Sequence, residues 1–164
     1  MVSEASGVFD GVRRAYDLTI LFLMEVIEEI GTDPALGLLH RAVERQADII
    51  SDELKRAMPE GLGALDLGLE VYRRFMGDVG AEVKVLRKDV DSVIVSVGRC
   101  PFFEAFLDVD VDCGYFVSGL CTNLILPSIQ AVMKRFNSGL RLEGLTIRET
   151  AEDRCLLRIL LDGS

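Results

Sequence analysis

The hydrophobic period of this chain changes once, close to residue 80, and that switch limits what it can fold into. Before it, apolar residues recur every three to four positions, as the buried stripe of a helix does. After it, they alternate in steps of two, as a half-buried strand does. The expected fold class is therefore α+β: three N-terminal helices, then a β-hairpin, a long helix and a second β-hairpin, the strands forming an antiparallel sheet packed on helices. The 164 residues suit one domain over 1–164, helical over about 6–80 and β-rich over about 81–162.

The first helix is expected over about Ser6 to Ile30, stopped by Gly31, with Pro34 opening the second. The second runs to about Met58, where Pro59 and Gly61 close it, and the third covers about Leu62 to Val79. Val83 and Val85 then alternate against Glu82, Lys84 and Arg87, and Val93 to Val97 reads as the antiparallel partner across a turn at Asp89 to Ser92. Pro101 to Leu107 is a short helix or turn, and Tyr115 to Phe136 a long helix with Pro127 as a kink or boundary. Leu140 to Thr146 and Cys155 to Leu161 form the final hairpin around Glu149 to Asp153.

Charge and apolar content exclude several functions. With 18 Lys and Arg against 27 Asp and Glu, the formal charge is −9, which disfavours a phosphate backbone, so no nucleic-acid partner is expected. The most apolar N-terminal stretch, Leu18 to Ile27, is interrupted by Glu25 and flanked by Asp17, Glu28 and Glu29. It is shorter than the roughly 20 apolar residues of a membrane span and lacks the basic start of a secretion signal. A cytoplasmic protein without a membrane partner is the expectation. Hydrophobic residues still make up 49%, a surplus that fits thick core packing, a buried oligomer interface or an apolar pocket equally well.

The chemistry candidates are the four cysteines, Cys100, Cys113, Cys121 and Cys155. No CxxC pair occurs, and without a secretion signal the thiols are expected to be reduced. Cys100 falls where one strand ends and Cys155 where the last begins, so the two meet if those strands are neighbours. Cys113 and Cys121 cannot bind one zinc from a single continuous helix, because eight positions separate them by roughly 12 Å along the axis. Either Cys113 precedes the helix, as Gly114 allows, or only one of the two is a ligand. Small buried hydrophobes, zinc ligands and a nucleophile are the three readings of the set.

His40, the only histidine, forms an i,i+4 pair with Glu44 that can serve a metal or an ordinary surface contact. Phe102, Phe103 and Phe106, with Tyr115 and Phe116, could wall an apolar pocket or fill the core. Phosphate-loop, dinucleotide-binding and serine-hydrolase motifs are absent.

The segment Cys100-Pro101-Phe102-Phe103-Glu104-Ala105-Phe106 resembles one found in the 2-amino-thiazoline-4-carboxylate hydrolase-like proteins. Leu120-Cys121, Pro127, Leu140 to Thr146 and Glu152-Asp153-Arg154-Cys155 continue that pattern in order, although Ala151 stands in place of a usual glycine and the spacing shifts. Cys113 to Gly119 and the same ending are similar to the 4-vinyl-reductase-like domains, which share their fold with TRAPP vesicle-tethering subunits. The likeness covers about residues 90 to 162. It implies binding of a small apolar or aromatic molecule and a structural zinc, with Cys100, Cys121 and Cys155 as ligands from the first pattern and Cys113 and Cys155 from the second. Glu143 or Glu149 would supply an acidic ligand, neither at the matching spacing. The leading expectation is a ligand-binding domain with a zinc site, preferably a homodimer. The rivals are a cysteine- or metal-dependent hydrolase of a small heterocycle and a homo-oligomeric interaction protein.

Overall fold

The structure, a computed structural model, describes residues 4–109 and 119–162. Two long helices, α1 (Glu4–Ile30) and α2 (Thr32–Ala57), form an antiparallel hairpin. One residue joins them: Gly31 has φ +87° and donates its N–H to Ile27 O at 2.8 Å, a left-handed stop that glycine adopts without a Cβ penalty. Residues of both helices border common grooves, Val26 and Leu38 one and Val12 and Leu54 another. A third helix, α3 (Ala64–Asp78), leads to β1 (Val83–Lys88) and β2 (Ser92–Val97).

After β2 come α4 (Pro101–Asp108), a π-helical turn (Cys121–Ile125) running into α5 (Leu126–Lys134), and the strands β3 (Leu140–Thr146) and β4 (Cys155–Leu161). All strand pairs are antiparallel, in the order β1-β2-β4-β3. Both expected hairpins therefore form, and they join through β2 and β4. In that register Val97 stands opposite Cys155, which brings the end of one hairpin to the start of the other.

One face of the sheet is buried. Val93, Val95 and Val97 of β2, Leu157 and Ile159 of β4 and Leu140 of β3 lie in the core, at the alternate positions a strand presents to one side. Helix α3 sits against this face so closely that a Cβ on Gly68 would stand 2.6 Å from Leu140 Cδ2 and 3.3 Å from Ile159 Cγ2. Gly68 is thus a packing glycine, a role its place in the sequence did not indicate.

Two expectations need correcting. Val85 is exposed because β1 is the edge strand and a register shift between Val85 and Arg87 turns its pleat. The long helix expected to Phe136 is not uniform: α5 starts at Leu126, with Pro127 in its first turn, and ends at Lys134. Proline has no N–H to donate, and the chain accommodates it with the π turn, where the Leu126 N–H reaches back five residues to Cys121 O. The expected start at Tyr115 lies outside the described residues.

Candidate functional site

Sheet register and the π turn gather chemistry at one point. Cys100 follows β2 by three residues and caps the N-terminus of α4. Cys155 begins β4 opposite Val97, and Cys121 opens the π turn. All three line one apolar void of about 30 Å³, together with Tyr72 and Met76 of α3 and Ile125 and Ile129 from the π turn and α5. Of the expected cysteines, these three converge; Cys113 lies outside the described residues.

A buried arginine lies against Cys155, one of the residues that line the void. Arg148, 2% exposed, donates from Nε to Cys155 Sγ at 3.3 Å and from Nη2 to Val97 O at 2.7 Å and to Gly98 O. Its guanidinium lies 5.3 Å from the Phe103 ring centroid, within cation–π range. The turn that presents Arg148 is tied by Asp153, whose carboxylate accepts from the Glu149 and Thr150 N–H groups. Those bonds, with the Thr150 side chain first among them, hold Asp153 below the usual carboxylate range. Among the described residues no carboxylate comes within ion-pair distance of Arg148.

Tyr72 is 0% exposed, and its hydroxyl has no hydrogen-bond partner among the described residues. Burial raises its pKa well above the ordinary value, with Cys100 and Cys155 adding to the effect and Arg148 opposing it, so it keeps its proton. Burial likewise pushes the Cys121 thiol up to about 12. Cys100 rises as well, desolvation outweighing the backbone N–H groups of Phe103 and Phe102 at the helix start. A thiol nucleophile needs a depressed pKa; Cys100 and Cys121 are shifted the other way, which weighs against the hydrolase with either as nucleophile.

Other expected site residues take separate places. Phe102, Phe103 and Phe106 are fully buried core residues that do not line the cysteine void. Phe102 instead meets Tyr16 edge-on at 4.4 Å and floors a groove between α1, α2 and α3. Tyr115 and Phe116 lie outside the described residues. His40 is exposed on α2, and its partner Glu44 is taken by Arg135 at 2.7 Å. Glu143 pairs with Arg158 across β3 and β4, and Glu149 is exposed.

Zinc does not fit the described part of this site. Among the described residues no group of three or more His, Cys, Asp or Glu side chains is arranged to hold a metal ion, and a guanidinium already faces the Cys155 sulfur. Among the described residues, too, no helix is long and apolar enough to cross a membrane.

Tyr72 and Arg148 were invisible as site residues in the sequence. Tyr72 reads as part of an ordinary helical stripe, and nothing in a turn between strands announces a buried arginine. Both acquire their roles from the β2–β4 register.

No family model matches the chain, and no curated protein matches it. Solved structures do. The phenol-responsive sensory domain of the transcription activator PoxR, with phenol, superposes at a TM-score of 0.60 and 11% identity, over 89% of this chain and 74% of that one. A trafficking protein particle complex subunit 3 from Naegleria fowleri, covalently bound to palmitic acid, superposes at 0.53 and 14% identity, over 91% and 96%. The chain therefore has the α+β fold shared by this sensory domain and this trafficking protein particle complex subunit.

Proposed function

We propose that this chain is a binding module for a small, largely apolar molecule, held in the void at Cys100, Cys121 and Cys155. The observation that carries the reading is the meeting of Cys100, Cys121 and Cys155 at one wholly apolar void that Tyr72, its buried hydroxyl without a partner among the described residues, also lines. Buried polar groups are normally satisfied, and ligand pockets are lined predominantly by apolar side chains. A fold shared with a sensory domain solved with phenol supports it.

At about 30 Å³ the void is well below the roughly 300 Å³ and more of common ligand pockets, so a ligand must displace its walls. Met76 has an adaptable side chain, and π turns recur at functional sites; both line the gap. Native mass spectrometry of the purified chain should show a retained organic molecule that denaturation releases. Cys121→Val, which fills the void, should lose it while the far-UV spectrum stays unchanged. A bare wild-type chain that also fails to take up any small aromatic probe sinks the reading, and a retained zinc mass would favour the metal expectation.

The outer face of the α1–α2 hairpin supports a second reading, self-association. Leu18 is 71%, Phe22 67% and Ile49 68% exposed, and Phe22, Val26, Leu38 and Ala42 border an apolar hollow of about 330 Å³. Exposed Glu25, Glu28 and Glu29 cluster toward the Gly31 tip, and exposed Arg41 and Arg45 lie farther down α2. A second copy docked antiparallel about Phe22 sets the acids of one against the arginines of the other. Sedimentation at micromolar concentration should give a dimer that Phe22→Glu converts to monomer; a monomeric wild type at about 100 μM, a concentration that fills any interface of micromolar affinity, rules it out.

A further inference from the structure

The groove between α1, α2 and α3 holds about 310 Å³ and shares no lining residue with the cysteine void. That volume lies at the lower end of common ligand pockets. Its interior is apolar and aromatic, with Tyr16, Phe75 and Phe102 lining it beside Ile50 and Leu54. The charged lining residues are Glu53 of α2 and Asp78 of α3, both acids, and no Lys or Arg lines the groove. Both acids are exposed, and neither forms an ion pair with a described residue. Other acids on the same two helices are neutralised: Glu44 and Asp48 by Arg135, and Glu70 by Arg74.

Asp78 is also the last residue of α3, a helix with no basic residue in its final turn. The C-terminal end of a helix carries a partial negative charge, which disfavours an acid there and favours a cation. Two unpaired carboxylates and the negative end of a helix thus meet at one aromatic groove.

Beyond the void and its ligand, we propose that this groove binds an organic ammonium ion with an aromatic body. The body packs among Tyr16, Phe75 and Phe102, and the ammonium lies toward Glu53 and Asp78. Aromatic rings attract a cation as well as bury an apolar body. An anionic head meets two like charges, and a neutral head leaves both acids with water alone.

The test is an NMR titration of the full wild-type chain at pH 7.5 and low salt with 4-phenylbutylammonium, 4-phenylbutanol and 4-phenylbutyrate. The ammonium should bind about fivefold more tightly than the alcohol, as two exposed ion pairs imply, and the carboxylate should bind most weakly. Its largest amide shifts should fall at Gln46, Phe75 and Val79, which line the groove. Glu53→Gln combined with Asp78→Asn should bring the ammonium-to-alcohol ratio toward one; both side chains are exposed, so the fold persists. Glu149→Gln with Glu152→Gln removes the same charge from exposed positions between β3 and β4 and should leave the ratio as it was. The groove proposal is overturned if the alcohol or carboxylate binds as well as the ammonium, or if the groove pair lowers the ratio no more than the distant pair. Shifts centred on Cys155 and Leu157 at the void, or no binding of any probe, overturn it equally.

Discussion

Raising the pH from below 9 to above 12 is expected to cost this chain about 4 kcal/mol of folding stability through Cys121 alone. Its thiol is 9% exposed, and burial moves its pKa from 9.0 to about 12. Three units at about 1.4 kcal/mol each give that figure. The sign follows from proton counting. Between pH 9 and 12 the unfolded chain has released the Cys121 proton and the folded chain still holds it, so the unfolded state gains with each step up in pH. The contribution is complete below pH 9 and is lost as pH climbs through 12. Tyr16, also pushed up to about 12 by burial, acts in the same direction from its own ordinary value of 10.0 upward. Urea unfolding at pH 8, 9.5, 10.5 and 11.5 measures the slope. Cys121→Ala should flatten it over this range, and an unaltered slope in that variant contradicts the burial of the thiol.

Arg148→Met is expected to destabilise the fold by about 3 kcal/mol. Two effects oppose each other. Removing a buried cation that lacks an ionic partner relieves its desolvation, which favours the variant. Against this, the Val97 and Gly98 carbonyls lose the donor they share, and an unsatisfied buried polar group costs about 1–3 kcal/mol. The contact over Phe103 also goes. Two carbonyls and a ring contact outweigh the relief, because the guanidinium already recovers part of its desolvation through several donors. The same change releases Cys155 from the end of β2, so the loss should concentrate where the hairpins join. Chemical denaturation of both proteins gives the difference, and hydrogen exchange at Val97, Gly98 and Cys155 locates it. A loss below about 1 kcal/mol would show that Arg148 is not what ties this corner together.

Much of the secondary structure was legible because it depends on local periodicity and on backbone chemistry. The change of period near residue 80 separated helices from strands, and Gly31 marked the hairpin turn that its positive φ requires. The two β-hairpins were readable from alternation and turn residues. Val85 was misread because alternation reports which side a residue points to, and not whether anything covers that side; on an edge strand nothing does. Pro127 announced a break, but whether it becomes a kink, a helix start or a π turn depends on how the neighbouring helix packs.

The candidate site was half legible. Cysteines at strand ends were suspicious, and Cys100, Cys121 and Cys155 do meet at one void. The aromatic cluster was ambiguous for a physical reason: Phe102, Phe103 and Phe106 have the same chemistry in a core as on a pocket wall, and an exposure of only 1% places all three in the core.

The sequence by itself determined the order of the helical and strand segments and the place of each hairpin, since hydrophobic period and turn-forming residues act over a few neighbours. Only the tertiary structure decided that β2 lies beside β4. That pairing sets Cys155 opposite Val97 and turns Arg148 inward, and with α3 packed over the sheet it leaves the Tyr72 hydroxyl without a partner among the described residues. Contacts between residues about fifty positions apart are set by which surfaces fit together and not by any local preference, and the gathering of Cys100, Cys121 and Cys155 at this void arises from such contacts.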